Sequence, residues 1–354
     1  MKKLRVAIVG YGRSGRDIHT HLLRQLPEQY EIVTYAEADA ERRAMIEKEV
    51  GVPSFPDYTG LIAIKDSFDF VVNASFSQDH APISKALMAE GIAVLSEKPA
   101  ARDLEEFQAI LDVQAASGVP YYVFQQYRLS PAFLKVQEVI ASGVLGRIVQ
   151  VNLHYDGFAR RWDWQTVHAF TAGSLLNTGP HPVDHALALM GFPQELDVKC
   201  FMDCAQTYGD AEDYVKLLLH AKGAPVLDVE ISSCNGYSDY TFLVQGTRGS
   251  LKGGSDKLEW KYYVEDEAPP QELILTPLKG PAGEPLYCRE KLPLHTASWE
   301  ATGEDFNEKG LSYYSALYNT FVCGADFPVK NEQVALQMKV MQEAHAQNQA
   351  LFAR

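Results

Sequence analysis

The sequence is short of cysteine, of positive charge and of long apolar runs, and each shortage excludes something. Its five cysteines, Cys200, Cys204, Cys234, Cys288 and Cys323, are scattered with no CxxC spacing. An odd, dispersed set fits neither a disulfide framework nor a zinc site and suits a reducing compartment, so no metal ligands are expected. Lysine and arginine number 32 against 46 aspartates and glutamates, for a net charge of -14. A chain this acidic lacks the basic face that phosphate neutralisation requires, so nucleic acid is not an expected partner. No apolar stretch approaches the roughly 20 residues that span a bilayer. The first apolar run, Val6–Val9, stops at Gly10 and has neither the length nor the cleavage site of a signal-peptide core. The expected setting is therefore the cytoplasm, with no membrane partner.

What is present is hydrophobic residue content of 46% over 354 residues, enough for two domains with cores. Residues 1–125 alternate short apolar runs with amphipathic segments. Strands are predicted at Arg5–Gly10, Glu31–Ala36, Phe68–Asn73, Ile92–Leu95 and Tyr121–Phe124. Helices are predicted between them at Gly12–Gln25, Ala40–Val50, Asp79–Glu90 and Leu104–Ser117. Such alternation implies βαβ units and a parallel sheet. Residues 126–354 read differently. A helix at Pro131–Ser142, a strand near Arg147–Tyr155 and a helix at Pro182–Met190 lead into successive strands from Val198 to Lys252, which favours an antiparallel sheet. Residues 265–293 are rich in Pro and Glu and read as a surface excursion. Helices at Ser312–Val322 and Asn331–Leu351 close the chain. The fold class is thus an N-terminal α/β dinucleotide-binding domain of the Rossmann type joined to an α+β domain with a large, mostly antiparallel sheet.

Gly10-Tyr11-Gly12-Arg13-Ser14-Gly15 matches G-x-G-x-x-G directly after the first strand and opens a helix. Glycines there let a pyrophosphate approach backbone N–H groups at a helix N-terminus. Glu37 ends the second strand, where a carboxylate accepts bonds from adenosine ribose hydroxyls and repels a 2′-phosphate. NAD is the expected cofactor, with NADP as the alternative because Arg42 and Arg43 follow in the next helix. Glu97-Lys98-Pro99 follows the fifth strand, on the edge of a parallel sheet where ligands bind. Lys98 is placed there for nicotinamide and substrate, or else is a loop lysine paired with Glu97, and Pro99 suits a cis turn. His181 and Asp184 stand three apart at a helix start beginning with Pro182. A carboxylate at that spacing holds an imidazole that acts as general base, although a merely capping histidine fits the same pattern. Arg160-Arg161-Trp162-Asp163-Trp164-Gln165 combines aromatics and guanidinium groups suited to a sugar ring, or to domain-interface packing.

Together the Gly-rich start, the Glu-Lys-Pro triplet, the His/Asp helix start, Tyr127-Arg128-Leu129-Ser130-Pro131 and Gly246-Thr247-Arg248-Gly249-Ser250-Leu251 resemble the Gfo/Idh/MocA family of glucose–fructose oxidoreductase and inositol dehydrogenase relatives over essentially the whole chain. The resemblance implies an NAD(P)-dependent dehydrogenase acting on a sugar, inositol or related polyol. It implies Lys98 between nicotinamide and substrate, and His181 as proton acceptor. Ser75 and His80 match a cofactor-proximal segment, with Phe76 and Ser77 where the family usually has Pro and Asn. Glu97 and Gln126 join the expected cofactor contacts. Arg128, Arg161, Trp164, Asn177, His181 and Asp184 are the expected substrate contacts. Asn177 stands where the family usually has Asp; it keeps an acceptor, adds a donor and loses the charge. An NAD-dependent glycosidase working by transient oxidation and a non-catalytic dinucleotide sensor are the alternative activities. A homodimer or homotetramer is also expected, because alternating apolar residues such as Val215, Leu217 and Leu219 suggest a sheet face in need of cover.

Overall fold

The computed structural model describes residues 2–352. Its first sheet has six parallel strands in the order β3-β2-β1-β4-β5-β6. They are β1 (Leu4–Val9), β2 (Tyr30–Ala36), β3 (Ser54–Phe55), β4 (Phe70–Asn73), β5 (Val94–Ser96) and β6 (Tyr121–Val123). The strand order reverses direction between β1 and β4, and in open parallel sheets ligands bind beyond the carboxyl ends of strands at such a switch. Gly10 leaves β1 and Ser75 follows β4, so both chain exits stand at that crevice.

Helices are set by their caps as much as by their faces. Asp39 accepts from the Glu41 and Arg42 N–H groups and starts helix Ala40–Glu49, while Asp103 accepts from Glu106 N–H and starts helix Leu104–Ser117. The helix opening after the glycine motif differs from the sequence expectation. Ser14–Thr20 winds in wide π-type turns before His21–Arg24 becomes regular. Thr20 Oγ1 donates to Gly15 O, five residues back, and His19 is fully buried there. Insertions of this kind often mark functional positions.

The second sheet has eight strands in the order β14-β13-β12-β11-β7-β10-β9-β8. They are β7 (Ile148–Asp156), β8 (Asp197–Asp203), β9 (Tyr214–His220), β10 (Val226–Ser232), β11 (Phe242–Gly246), β12 (Gly249–Gly253), β13 (Lys257–Tyr262) and β14 (His295–Glu300). Every pairing is antiparallel except β7 with β10, which is parallel. Residues 265–294 carry only a one-turn helix at Glu265–Glu267 before β14, and Leu273, Leu275 and Tyr287 are exposed.

Val215, Leu217 and Leu219 are each fully buried. Helices of the same chain pack on this sheet: Ser174–Asn177 on β9, Pro180–Leu189 on β7 and β10, and Asn331–Gln347 on β8. The residues named for self-association are therefore covered within the chain, while the opposite face carries Lys216, Asp228 and Glu230 together with the exposed apolar Phe201, Leu218 and Val226. The closing helix Asp305–Cys323 begins earlier than its apolar pattern suggests and returns to the first domain. Tyr313 donates to Val123 O at 2.6 Å, Tyr30 donates to Tyr314 O at 2.6 Å, and Phe321 stacks on Phe70.

Candidate functional site

A cavity of about 590 Å³ lies over the crevice, within the range of small-molecule and cofactor sites. Gly10, Gly12, Arg13 and Ser14 form its floor, with Glu37 and Arg42 on one side and Ser75 and Phe76 on the other. Gly10 has φ of 90°, and a Cβ there would collide with Ala74 O. A Cβ on Gly15 would collide with Gly10 O, although Gly15 itself does not line the cavity. Only glycine permits this approach, and it leaves the backbone bare where a pyrophosphate needs it. These residues fit a dinucleotide.

Glu37 is 7% exposed. Tyr11 N–H donates to its Oε2 at 2.6 Å and Asp39 N–H to its Oε1 at 2.9 Å. Each oxygen keeps a further lone pair for a ribose hydroxyl. The Arg42 guanidinium is 4.0 Å away and half-exposed, while Arg43 is spent on the Glu37 and Ala38 carbonyls. Tyr11 gives the site its backbone only. Its ring is buried against Tyr35, and its hydroxyl donates to Glu49.

Two of the expected cofactor contacts prove to be braces. The His80 ring shares hydrogen bonds with Pro99 O at 2.7 Å and Ser75 O at 3.1 Å, tying the loop after β4 to the one after β5. Burial lowers its basicity, and a neutral imidazole, with a single N–H, donates to one of these two carbonyls at a time. Glu97 is 4% exposed, with Oε1 3.1 Å from His19 Nε2 and Oε2 accepting the Lys98 N–H. Despite burial, the bond and charge of His19 hold its carboxyl down to about 2. Neither side chain lines the cavity. Gln126 is also buried, and its Oε1 meets no donor among the described residues.

Lys98 precedes a cis bond to Pro99, as its sequence suggested. Its Nζ donates to Asn177 O at 2.7 Å, so the first domain reaches into the second. Burial, and after it the charges of Arg13 and Arg161, lower its basicity against the raising effect of Glu97. His181 is 7% exposed, and its Nδ1 has no hydrogen-bond partner among the described residues. Burial first, then the charge of Lys98, pull its pKa well below the ordinary histidine value. The Lys98 charge thus bears on His181 across the domain junction.

The pairing of His181 with Asp184 does not occur. Asp184 Oδ2 accepts from Arg128 Nε at 2.6 Å, and Oδ1 accepts from Arg128 Nη2. Arg128 also donates to Gln333 Oε1 and sits over the Phe192 ring. Both charges are consumed in this buried bidentate pair, and neither residue lines the dinucleotide cavity as a substrate contact. What orients His181 is Tyr127, whose ring stacks on the imidazole with centroids 3.9 Å apart. The Lys309 ammonium lies 3.7 Å from the centroid of that ring and is ion-paired to Asp305. Sequence reading missed both supports, because Lys309 is far along the chain and sits in a helix turn with no distinctive motif.

The Arg/Trp segment folds over the mouth of the cavity. Arg161, Asp163, Trp164 and Gln165 line it, and Trp164 meets Phe76 edge-on at 5.1 Å. Arg161 donates to Asp163 and Gln165, and Gln165 Nε2 lies 3.4 Å from Asn177 Oδ1. Trp162 points outward at 77% exposure. Phe76, where a proline was the usual residue, thereby gains a partner in the second domain.

Known proteins match this architecture. Residues 4–125 match the sequence model described as "Oxidoreductase family, NAD-binding Rossmann fold", and residues 133–252 match the "GFO/IDH/MocA C-terminal domain". An uncharacterized oxidoreductase, C115.03, of Schizosaccharomyces pombe is 25% identical over 99% of this chain and 98% of its own. The scyllo-inositol 2-dehydrogenase (NADP(+)) IolW of Bacillus subtilis is 27% identical over 54% of this chain and 53% of its own. The crystal structure of the WlbA dehydrogenase from Bordetella pertussis in complex with NADH and UDP-GlcNAcA superposes with a TM-score of 0.75 at 16% identity, covering 99% of this chain and 97% of that one. Among the described residues no helix is long and apolar enough to cross a membrane.

Proposed function

Since the chain belongs to the GFO/IDH/MocA oxidoreductase family, with its NAD-binding Rossmann domain, we propose that it is a dehydrogenase that oxidises a CH–OH group of a cyclic polyol, sugar or sugar acid, or reduces the matching carbonyl. The carrying observation is the bond from Lys98 Nζ to Asn177 O, which ties Lys98 to the segment that carries the buried His181. Nicotinamide, when bound, supplies the acceptor or donor of hydride. His181 takes the hydroxyl proton as the carbinol C–H leaves as hydride, so alcohol becomes carbonyl. Lys98 stabilises the developing charge on the same oxygen. Arg161, Trp164 and Asn177 hold the neighbouring hydroxyls, and Phe76 with Trp164 keeps bulk water from the mouth. The test is a screen of NAD and NADP reduction against a panel of inositols, aldoses and sugar acids. Turnover with at least one cyclic polyol or sugar is expected; binding of NAD without turnover on any CH–OH compound contradicts the proposal.

Glu37 favours NAD, even though the relative IolW carries NADP(+) in its name. Glu37→Ser is expected to weaken NAD binding and to relax discrimination against NADP, because it removes both a ribose acceptor and a charge facing a 2′-phosphate. Isothermal titration with both cofactors reads this out. A wild-type preference for NADP of tenfold, about 1.4 kcal/mol, is the opposite result.

A neutral His181 is ready as base throughout the neutral range, so kcat/KM should fall only well below the ordinary histidine pKa. Lys309 acts as a positioning residue: its charge opposes protonation of His181, and its contact seats Tyr127. Lys309→Met removes a nearby cation, which favours the protonated imidazole. The acid limb of the pH profile should therefore move up toward neutrality. An unmoved limb, whatever the change in rate, counts against this role.

A further inference from the structure

We propose that His154, Asp156 and Glu230 form a binding site for a single divalent transition-metal cation of the Zn²⁺ or Mn²⁺ kind, on the outward face of the eight-stranded sheet. Along β7, Val151 and Leu153 are fully buried and the Tyr155 hydroxyl bonds His185 on the covering helix. Side chains alternate along a strand, so Asn152, His154 and Asp156 share the opposite face. Parallel pairing sets Glu230 of β10 beside His154 and Asp228 beside Asn152. One ligand atom from each of His154, Asp156 and Glu230 lies within 4.8 Å of the others. Bonds of about 2.0 to 2.1 Å at tetrahedral angles put ligand atoms about 3.3 Å apart, so small side-chain rotations close the set.

The independent observation is an unmet demand for positive charge. The Asp156 side chain is only 2% exposed, yet its Oδ1 accepts no hydrogen bond among the described residues. Its Oδ2 accepts from Asn235 at 2.8 Å and lies 3.5 Å from His154 Nδ1. His154 Nε2 and Asn152 Oδ1, on the same face, are buried without partners as well. Buried carboxylates are costly unless paired or coordinated. Three carboxylates, Asp156, Asp228 and Glu230, face one ammonium, Lys216, which bridges the last two. Against that one ammonium the three carboxylates leave a surplus of two acidic groups, which suits a divalent ion. One imidazole with carboxylates suits Zn²⁺ or Mn²⁺ better than Mg²⁺ or Ca²⁺, which take all-oxygen shells. The His154 ring is braced at 4.8 Å on Tyr240, as a ligand needs. The pattern H-x-D is too short to be seen in the sequence, since Glu230 joins it only through strand register.

The test uses the whole chain, stripped with chelator and titrated with MnCl₂, with free Mn²⁺ followed by electron paramagnetic resonance so that cysteines do not interfere. One Mn²⁺ per chain is expected, and ZnCl₂ should displace it. Asp156→Asn and His154→Gln should each lower affinity by at least about 100-fold, the upper range for loss of even a supporting partner. Thermal unfolding keeps the test open if a variant is altered in stability. Without metal, Asp156→Asn should melt higher than wild type because it removes an unpaired buried charge; with saturating Zn²⁺ the order should reverse. Absence of stoichiometric Mn²⁺ and Zn²⁺ binding, or binding unchanged in the double variant, overturns the proposal.

Discussion

His181→Ala is expected to lower kcat by roughly two to four orders of magnitude, the usual scale of general acid–base catalysis, while NAD affinity stays within error of wild type. The two effects separate because His181 does not line the dinucleotide cavity; it sits beyond it, stacked on Tyr127 and under the field of Lys98. The imidazole is held by packing rather than by a carboxylate, so among the described residues its Nδ1 lacks the usual tautomer-fixing partner. Substrate itself would complete the hydrogen bonding. Single-turnover kinetics with saturating cofactor separates the chemical step from binding. A fall of less than tenfold in the chemical step would remove His181 from the role of base.

The second large effect is on stability. Arg128→Ala should destabilise the protein by about 3 to 5 kcal/mol, because it strands Asp184 as a buried, unpaired carboxylate. The Asp184 side chain is 2% exposed and that of Arg128 10%. The pH dependence has a definite sign. Burial already raises the Asp184 pKa in the folded state, against the lowering effect of Arg128. Removing Arg128 raises it further. A carboxyl whose folded pKa lies above its unfolded value favours folding at low pH, and that contribution is lost as pH rises through the folded pKa. The variant's deficit should therefore be larger at pH 7 than at pH 5. Urea unfolding at the two pH values measures it; a deficit below about 1 kcal/mol, the usual ceiling for exposed pairs, would mean that the pair is not buried in solution.

These two residues also mark where sequence reading succeeds and where it stops. The glycine motif, Glu37 and the Glu-Lys-Pro triplet are local, and each follows a strand whose apolar run is unmistakable, so the crevice is legible from residue order alone. His181 and Asp184 are local neighbours too, yet helical spacing only permits their pairing. The choice fell to Arg128, brought from a turn 56 residues away, because a buried carboxylate takes the partner that neutralises it. Strand β3 was missed because it is two residues long. Helix Asp305–Cys323 was placed too late because Gly310 interrupts its helical propensity. A Cβ on that glycine would meet the Leu22 methyl at 2.5 Å, so the helix packs close on Leu22 there. The parallel pairing of β7 with β10, and with it the His154 cluster, depends on register between strands far apart in the chain, which composition and periodicity do not encode.

In the proposed reaction a carbinol hydrogen passes to nicotinamide while His181 takes the hydroxyl proton. The most direct measurement is isotopic. A substrate found in the reduction screen, deuterated at the carbinol carbon, is incubated with the protein and NAD, and the reduced cofactor is analysed by mass spectrometry. One deuterium per reduced nicotinamide is expected, with the label formed far more slowly by His181→Ala. Reduced cofactor carrying no label, or label formed as fast by His181→Ala as by wild type, would contradict it.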